Sequence, residues 1–453
     1  MGRQVQNVLC VREVSRILVR ASDSSMEPHV LAVSNLDLVP QRIQGSLFCM
    51  YPKPPSTTTG GFDAVVDAFR SGLPSLLNHF FPLAGRLVTN PISGLPEVDC
   101  GNQGAELVVG EAASSALSSL DYGAIGPLTR AAQLPYAEDV ALSVQVVSFA
   151  CGGFTVAWCS HHVLMDGGAL TLLVRALSEL ARSGTLFRPR RPPSYGAWLH
   201  EWFTPLDPAR QVNVLTLERS LVERLYRVDA SVMARLRDAA TGRATRAEAF
   251  SAYLWKVVAR VVAGPADARC RMGWWVDGRH AAVADPARNY MGNFITYTSK
   301  EAGMEEVLAM PLRDVAALVR EAVSAPAYDK RFQELVDWVD EHKPRRYIET
   351  AVMGMGSPAV SVTMFSSFRI DMDFGFGHAA LALPTVREVA RIASGYVQTC
   401  SQPGRDDGPL IVNALVWPWL ADALEGDPLR IFRPVTAKFL GFVAPQDQQR
   451  SPL

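Results

Sequence analysis

The chain has 453 residues, 48% of them hydrophobic and 20% charged, with a formal net charge of −1. This is ordinary globular usage, and the length exceeds the roughly 250 to 300 residues at which a single core stops growing, which predicts two domains. A charge balance so near zero argues against nucleic acid or an anionic membrane as the principal partner, while leaving room for a local basic pocket.

The seven cysteines, at positions 10, 49, 100, 151, 159, 270 and 400, are odd in number and scattered without a Cys-x-x-Cys pair. They give no zinc pattern and predict reduced thiols in an intracellular compartment. Residues 1 to 25 spread Arg3, Arg12, Arg16 and Arg20 among apolar positions, so they lack the uncharged core of a secretory signal. Gln6 stands where myristoylation prefers Ser or Thr. No run of about 18 apolar residues suggests a membrane span. A cytoplasmic protein is expected. Ser451-Pro-Leu453 is similar to the peroxisomal Ser-Lys-Leu tail with Pro for Lys, a match that chance also explains, and the peroxisome is the alternative.

From Phe62 to Phe81, residues Val65, Val66, Phe69, Leu73, Leu76, Leu77 and Phe80 fall at helical spacing and predict a core-facing helix. Gly72 and Pro74 predict a kink or break near Leu73, because an internal proline removes a hydrogen bond at a cost of about 3 kcal/mol. In Phe81-Pro-Leu-Ala-Gly-Arg86 the last two residues read as structural: glycine permits a tight exit, and arginine can pair with a buried carboxylate. Asn90-Pro91 and Gly94-Leu-Pro96 punctuate a hairpin-like connection, and Ala105–Val109 and Leu142–Phe149 read as strands.

Cys151-Gly-Gly153 turns the chain into Phe154–Cys159, a run rich in aromatic and β-branched residues that reads as a buried strand. The strand meets Ser160-His-His-Val-Leu-Met-Asp-Gly-Gly168, and leucines at helical spacing follow from Leu170 to Leu180. The polar residues therefore occupy a strand-to-helix turn on a rigid hairpin. An imidazole titrates near pH 6.5 and suits general acid–base chemistry. Neighbouring side chains on an extended chain point to opposite sides, so only one of His161 and His162 can face a given cleft.

Arg188-Pro-Arg-Arg-Pro-Pro-Ser194 breaks regular structure and reads as a crossover linker, with Trp198 and Trp202 packing it onto the surface or meeting substrate. Thr245-Arg-Ala-Glu248 is a capping box, Thr245 at the N-cap and Glu248 at the third helical position, opening an apolar helix. Ser361–Phe368 reads as a strand.

His162-x-x-x-Asp166-Gly167 resembles the His-x-x-x-Asp-Gly signature of CoA-dependent acyltransferases, shared by plant BAHD enzymes, chloramphenicol and carnitine acyltransferases and peptide-synthetase condensation domains, and on it we take His162 as the base. Asp373-Phe-Gly-Phe-Gly377 resembles the BAHD Asp-Phe-Gly-Trp-Gly, with Phe376 in the tryptophan position. Phe81–Arg86 resembles the family's Tyr-Pro-Leu-Ala-Gly-Arg, and Tyr290-Met-Gly-Asn293 lies where the family has an aromatic followed by x-Gly-Asn. Condensation domains would lack the Asp373 and Phe81 matches. Four motifs in family order span nearly the whole chain, which is thereby identified as a member of the BAHD acyltransferases.

The resemblance implies an α/β protein with two similarly sized domains of chloramphenicol-acetyltransferase-like type, mixed sheets with flanking helices, and an active-site channel at their interface. Residues 1–190 would form the N-terminal domain, 191–219 the crossover linker and 220–453 the C-terminal domain carrying the Asp373–Gly377 motif. Acyl-CoA would be a co-substrate with no bound cofactor and no metal. His162 would deprotonate the alcohol or amine of a small metabolite, and the acyl group would be aromatic, benzoyl or hydroxycinnamoyl. A monomer is expected.

Val276-Asp-Gly-Arg279 resembles the family segment whose arginine pairs with the motif aspartate. Asp166 then braces the turn against Arg279, although a triad in which it orients His162 is the other reading. The start of the Thr245 helix would approach the CoA phosphates, with Arg246 as an added cation or as a solvated surface arginine. Ser366-Ser-Phe368 stands where relatives carry Thr-Ser-Trp, so Ser366 or a backbone amide would meet the acceptor or the oxyanion. Asp373, Gly375 and Gly377 read as a structural turn, and His378 receives no role. A non-catalytic relative keeping only the fold is the alternative; intact His162 and Asp166 argue against it.

Overall fold

Strand-forming runs separated by glycine and proline turns assemble into two mixed sheets, each with its own apolar core. The computed structural model describes residues 9–38, 43–56, 60–183, 221–261, 268–281, 290–324, 326–342, 359–365, 372–386, 395–405 and 407–443. The expected linker 191–219 with Trp198 and Trp202, the Ser366–Phe368 segment, and the terminal Gln6 and Ser451–Leu453 lie outside the described residues.

The first sheet runs in the order Arg12–Val19, Ala105–Ala112, Leu142–Phe149, Phe154–His161, Gln44–Tyr51 and Leu381–Val386. Every residue of Phe154–His161 is buried, because the strand is paired antiparallel on both sides and its apolar side chains join the core. That is why it is rich in aromatic and apolar residues rather than alternating with exposed polar ones. The predicted hairpin from Leu142–Phe149 is present. A second hairpin, Arg86–Thr89 with Pro96–Cys100, joins His29–Ala32 in a small third sheet. The carboxylate nearest Arg86, Asp139 at 3.8 Å, is largely exposed, and the guanidinium donates instead to the carbonyls of Gly85 and Gly104.

The Gly61–His79 helix runs unbroken through Gly72 and Pro74, so of the expected kink or break, the break is absent. Leu73, Leu76 and Leu77 are fully buried. At about 1.5–3 kcal/mol each, their burial outweighs the roughly 3 kcal/mol cost of the proline.

The second sheet runs Ile295–Gly303, Arg269–Asp277, Ala359–Met364, Gly395–Ser401, Leu410–Val416, Val222–Val228 and Arg433–Pro434, packed on the helix Arg246–Val261 through Phe250, Leu254, Trp255 and Val258. The strand foreseen over Ser361–Phe368 is Ala359–Met364 among the described residues. Also among the described residues, no helix is long and apolar enough to cross a membrane.

One segment departs from the expected contiguous halves. Leu381–Val386 pairs antiparallel with Gln44–Tyr51 in the first sheet, and Phe374 and Phe376 are buried in the first core. The segment carrying Asp373–Gly377 thus leaves the 220–453 unit and packs against the strand that leads to His162. Phe374 stacks on Trp158 at 6.1 Å and tilts against Phe69 at 5.1 Å, and Phe376 meets Phe154 edge-on. Two tight reversals present both rings: Gly375 and Gly377 have φ of 94° and 91°, and Asp373 Oδ1 accepts their backbone N–H groups at 2.8 and 3.0 Å.

A Cβ at Gly375 meets nothing within 4 Å, so Gly375→Ala should cost only the left-handed strain, roughly 1 kcal/mol or more. Asp373→Ala should likewise lower the melting temperature and soluble yield while turnover per folded molecule stays at the wild-type value. Unchanged melting with a hundredfold loss of turnover in either variant would place this turn in the chemistry.

Candidate active site

The ladder between Phe154–His161 and Gln44–Tyr51 ends with His161 opposite Gln44, and the next N–H, that of His162, donates to Ile43 O at 2.7 Å. This pins the exit of the strand. His161 is 3% exposed, its ring edge-on to Tyr136 at 6.0 Å. His162 is only part-buried, and its Nδ1 lies 2.9 Å from Asn293 Oδ1.

The hydrogen on that ring is determined by its neighbours. Asn293 Nδ2 donates to Asp37 Oδ1 at 2.9 Å and to the carbonyl of His162 at 2.6 Å. Its amide oxygen is therefore the atom facing the imidazole, and an amide oxygen only accepts. Nδ1 is thus the donor to that oxygen, which in a neutral ring places the lone pair on Nε2.

Asp166 is turned toward a different set of partners. Its Oδ1 accepts the N–H of Ala169 at 2.9 Å, capping the helix Gly167–Ser183, while its Oδ2 accepts Phe294 N–H and Arg279 Nη1, both at 2.9 Å. The imidazole of His162 meets Asn293, and Asp166 meets Arg279. Arg279 also donates to Asp277 Oδ1 at 3.1 Å, to Tyr290 O and, at 2.7 Å, to Gly292 O. Burial works against its charge, but Asp166 and Asp277 beside it raise the guanidinium above the ordinary arginine value. One side chain thus binds the histidine turn to the 290–294 loop of the second half.

The other expected residues lie in other places. Thr245 and Glu248 form the predicted reciprocal box, Thr245 N–H to Glu248 Oε2 at 2.9 Å and Glu248 N–H to Thr245 Oγ1 at 3.1 Å. Glu248 also binds Arg320 at 2.8 Å, and Arg246 donates to Gly408 O at 2.9 Å. Ser366 lies outside the described residues. Two residues of the cluster escaped the sequence reading. Asn293 ends the Tyr290–Asn293 match, which assigns it no role, and Asp37 lies in none of the four motifs. A signal for Asp37 exists in Ser34-Asn-Leu-Asp37, a Ser-x-x-Asp box whose reciprocal bonds are Ser34 N–H to Asp37 Oδ2 at 3.0 Å and Asp37 N–H to Ser34 Oγ at 3.3 Å.

The Asp166–Arg279 side chains are 1% and 5% exposed, so removing either partner should cost about 3–5 kcal/mol. Asp166→Asn and Arg279→Ala should both lower thermal stability and soluble yield by comparable amounts. A well-folded but inactive Asp166→Asn beside an unaffected Arg279→Ala would restore the triad reading.

The chain matches the sequence model of the Transferase family over residues 10–408. It is 25% identical over 384 residues to omega-hydroxypalmitate O-feruloyl transferase of Arabidopsis thaliana, covering 78% of this chain and 79% of that one. It is 26% identical over 470 aligned positions to putrescine hydroxycinnamoyltransferase 1 of Oryza sativa subsp. japonica, covering 94% and 98%. Among solved structures, TRI101 of F. graminearum, complexed with coenzyme A and T-2 mycotoxin, superposes with a TM-score of 0.72 at 17% identity, covering 89% of this chain and 99% of that one. That last likeness is one of fold, whereas the family match spans most of the chain. The chain belongs to the transferase family of BAHD acyltransferases, enzymes that take their acyl group from a CoA thioester.

Proposed function

We propose that this acyltransferase moves an aromatic acyl group, hydroxycinnamoyl or benzoyl, from CoA to the hydroxyl or amine of a small specialised metabolite, with His162 as general base. The observation that carries the proposal is the hydrogen bond from His162 Nδ1 to Asn293 Oδ1, which leaves the basic Nε2 free on a part-buried ring. The two sequence relatives support the acyl class, being a feruloyl and a hydroxycinnamoyl transferase by name. Their names divide on the acceptor: omega-hydroxypalmitate offers a hydroxyl and putrescine an amine.

His162 Nε2 takes the proton of the acceptor as its oxygen or nitrogen attacks the thioester carbonyl. The tetrahedral intermediate collapses with loss of CoA thiolate, which receives the proton back from the imidazolium. Asn293 holds the ring in both protonation states, because its amide oxygen accepts from Nδ1–H throughout. An asparagine serves the histidine of papain-like proteases in the same way. Ser366 or a backbone amide would donate to the oxyanion. The CoA phosphates would approach the start of Arg246–Val261, where Arg246 stands half-buried and Arg243 exposed. Residues 1–190 and 220–453 would supply most of the two domains, with 372–386 lent to the first. The enzyme would act as a monomer in the cytoplasm.

His162→Ala should lower kcat by about two to four orders of magnitude, the usual worth of general acid–base catalysis, with melting unchanged. CoA-thiol release from a panel of aromatic acyl-CoAs and acceptors is the measurement. His161→Ala should cost stability and leave turnover per folded molecule intact. The opposite pattern would move the base to His161, and no thiol release with any donor would favour a non-catalytic relative.

A further inference from the structure

We infer that Asp37 is a positioning residue that fixes, through Asn293, which ring nitrogen of His162 carries the hydrogen. The inference rests on the reading of His162 as the base, and it concerns a residue 256 positions from Asn293 in sequence.

Asp37 sits in a three-residue turn, Leu36–Leu38, and is 5% exposed. Its Oδ2 accepts the N–H of Ser34 at 3.0 Å and the hydroxyl of Ser34 at 2.7 Å, with the Tyr290 hydroxyl 3.0 Å away. Its Oδ1 accepts both the backbone N–H and the side-chain Nδ2 of Asn293. All of these donors are neutral. A carboxylate buried among neutral donors is costly to desolvate, and holding a loop in place would need no charge. An asparagine at this position could satisfy several of the same donors.

What the carboxylate adds is that it only accepts. The amide of Asn293 has two orientations related by a half-turn. In the observed one its NH2 faces the carboxylate and its oxygen faces His162 Nδ1. In the flipped one the oxygen would face Asp37 Oδ1 and the His162 carbonyl, acceptor against acceptor, and the NH2 would face the ring. Nδ1 would then have to accept, and the hydrogen would move to Nε2, the atom that must stay bare to take the acceptor's proton. Asp37, together with the His162 carbonyl, closes off that orientation.

The approach of the carboxylate is built into the backbone. A Cβ at Gly292 would lie 2.5 Å from Asp37 Oδ1 and 2.6 Å from the Tyr290 hydroxyl, so only glycine lets the loop come this close. Arg279 holds the carbonyls of Tyr290 and Gly292. The loop bearing Asn293 is thus fixed at the carbonyls of Tyr290 and Gly292 by the guanidinium and at the N–H of Asn293 by the carboxylate.

The test is Asp37→Asn, which keeps the volume, with Asp37→Ala and Asn293→Ala as companions. Long-range 1H–15N correlation spectra of 15N-histidine-labelled protein report which nitrogen of His162 is protonated, its signal being identified by its loss in His162→Ala. We expect the Nδ1–H form in the wild type and a share of the Nε2–H form in Asp37→Asn. Alongside it, kcat should fall about tenfold or more with KM little changed, and by more in Asp37→Ala. In the Asn293→Ala background, Asp37→Asn should have no further effect on kcat, because its route to the ring is gone. A folded Asp37→Asn with wild-type kcat and an unchanged tautomer, differing only in melting temperature, would overturn the inference. If the tautomer shifts while His162→Ala retains turnover, the reading of His162 as base fails and the positioning by Asp37 stands.

Discussion

The buried guanidinium of Arg279 is the constraint on which the site depends. It reaches an aspartate 113 residues earlier in the chain and two backbone carbonyls at Tyr290 and Gly292. Because the pair lies out of solvent, the charges cannot fall back on water when the partner is lost. The histidine turn and the asparagine loop are therefore held at a separation set by covalent geometry and a few hydrogen bonds, not by loose packing. The role proposed for His162, that of a general base, would need such a support, since a misplacement of about 1 Å can cost a hundredfold in rate.

Much of this was legible locally. Phe154–Cys159 announces a buried strand by its aromatic and β-branched residues, and the switch to leucines at helical spacing after Gly168 brackets the turn. Thr245 and Glu248 announce their own reciprocal cap. Such features depend on residues within a few positions of one another, where spacing determines contact. The Asp166–Arg279 pairing was suggested by resemblance, and its geometry shows why the aspartate serves the turn: both of its oxygens are occupied by Ala169, Phe294 and Arg279.

What was not legible is long-range. The partner of the imidazole lies 131 residues away, and the carboxylate behind it belongs to a short turn whose local pattern marks only a capping box. Pro74 illustrates the opposite failure, a local signal overruled by tertiary packing. The cost of the missing N–H is real, but three buried leucines on the same turn of helix exceed it. The placement of Leu381–Val386 in the first sheet was invisible for a related reason: a strand's own residues do not say which sheet they complete.

That crossing strand has a consequence for how the protein is made. The hydroxyls of Ser46 and Thr385 lie 2.7 Å apart across the ladder although 339 residues separate them in the chain. At roughly 5–20 residues per second of synthesis, the edge of Gln44–Tyr51 waits about 15 to 70 seconds for its neighbour. During that interval a strand with a buried, apolar pattern presents unpaired backbone groups on the ribosome. The first half of the chain can collapse early but cannot finish, and its aromatic core closes only when Phe374 and Phe376 arrive. The need for nascent-chain protection, and the risk of pairing with a second copy, are thus greatest before the last fifth of the polypeptide emerges.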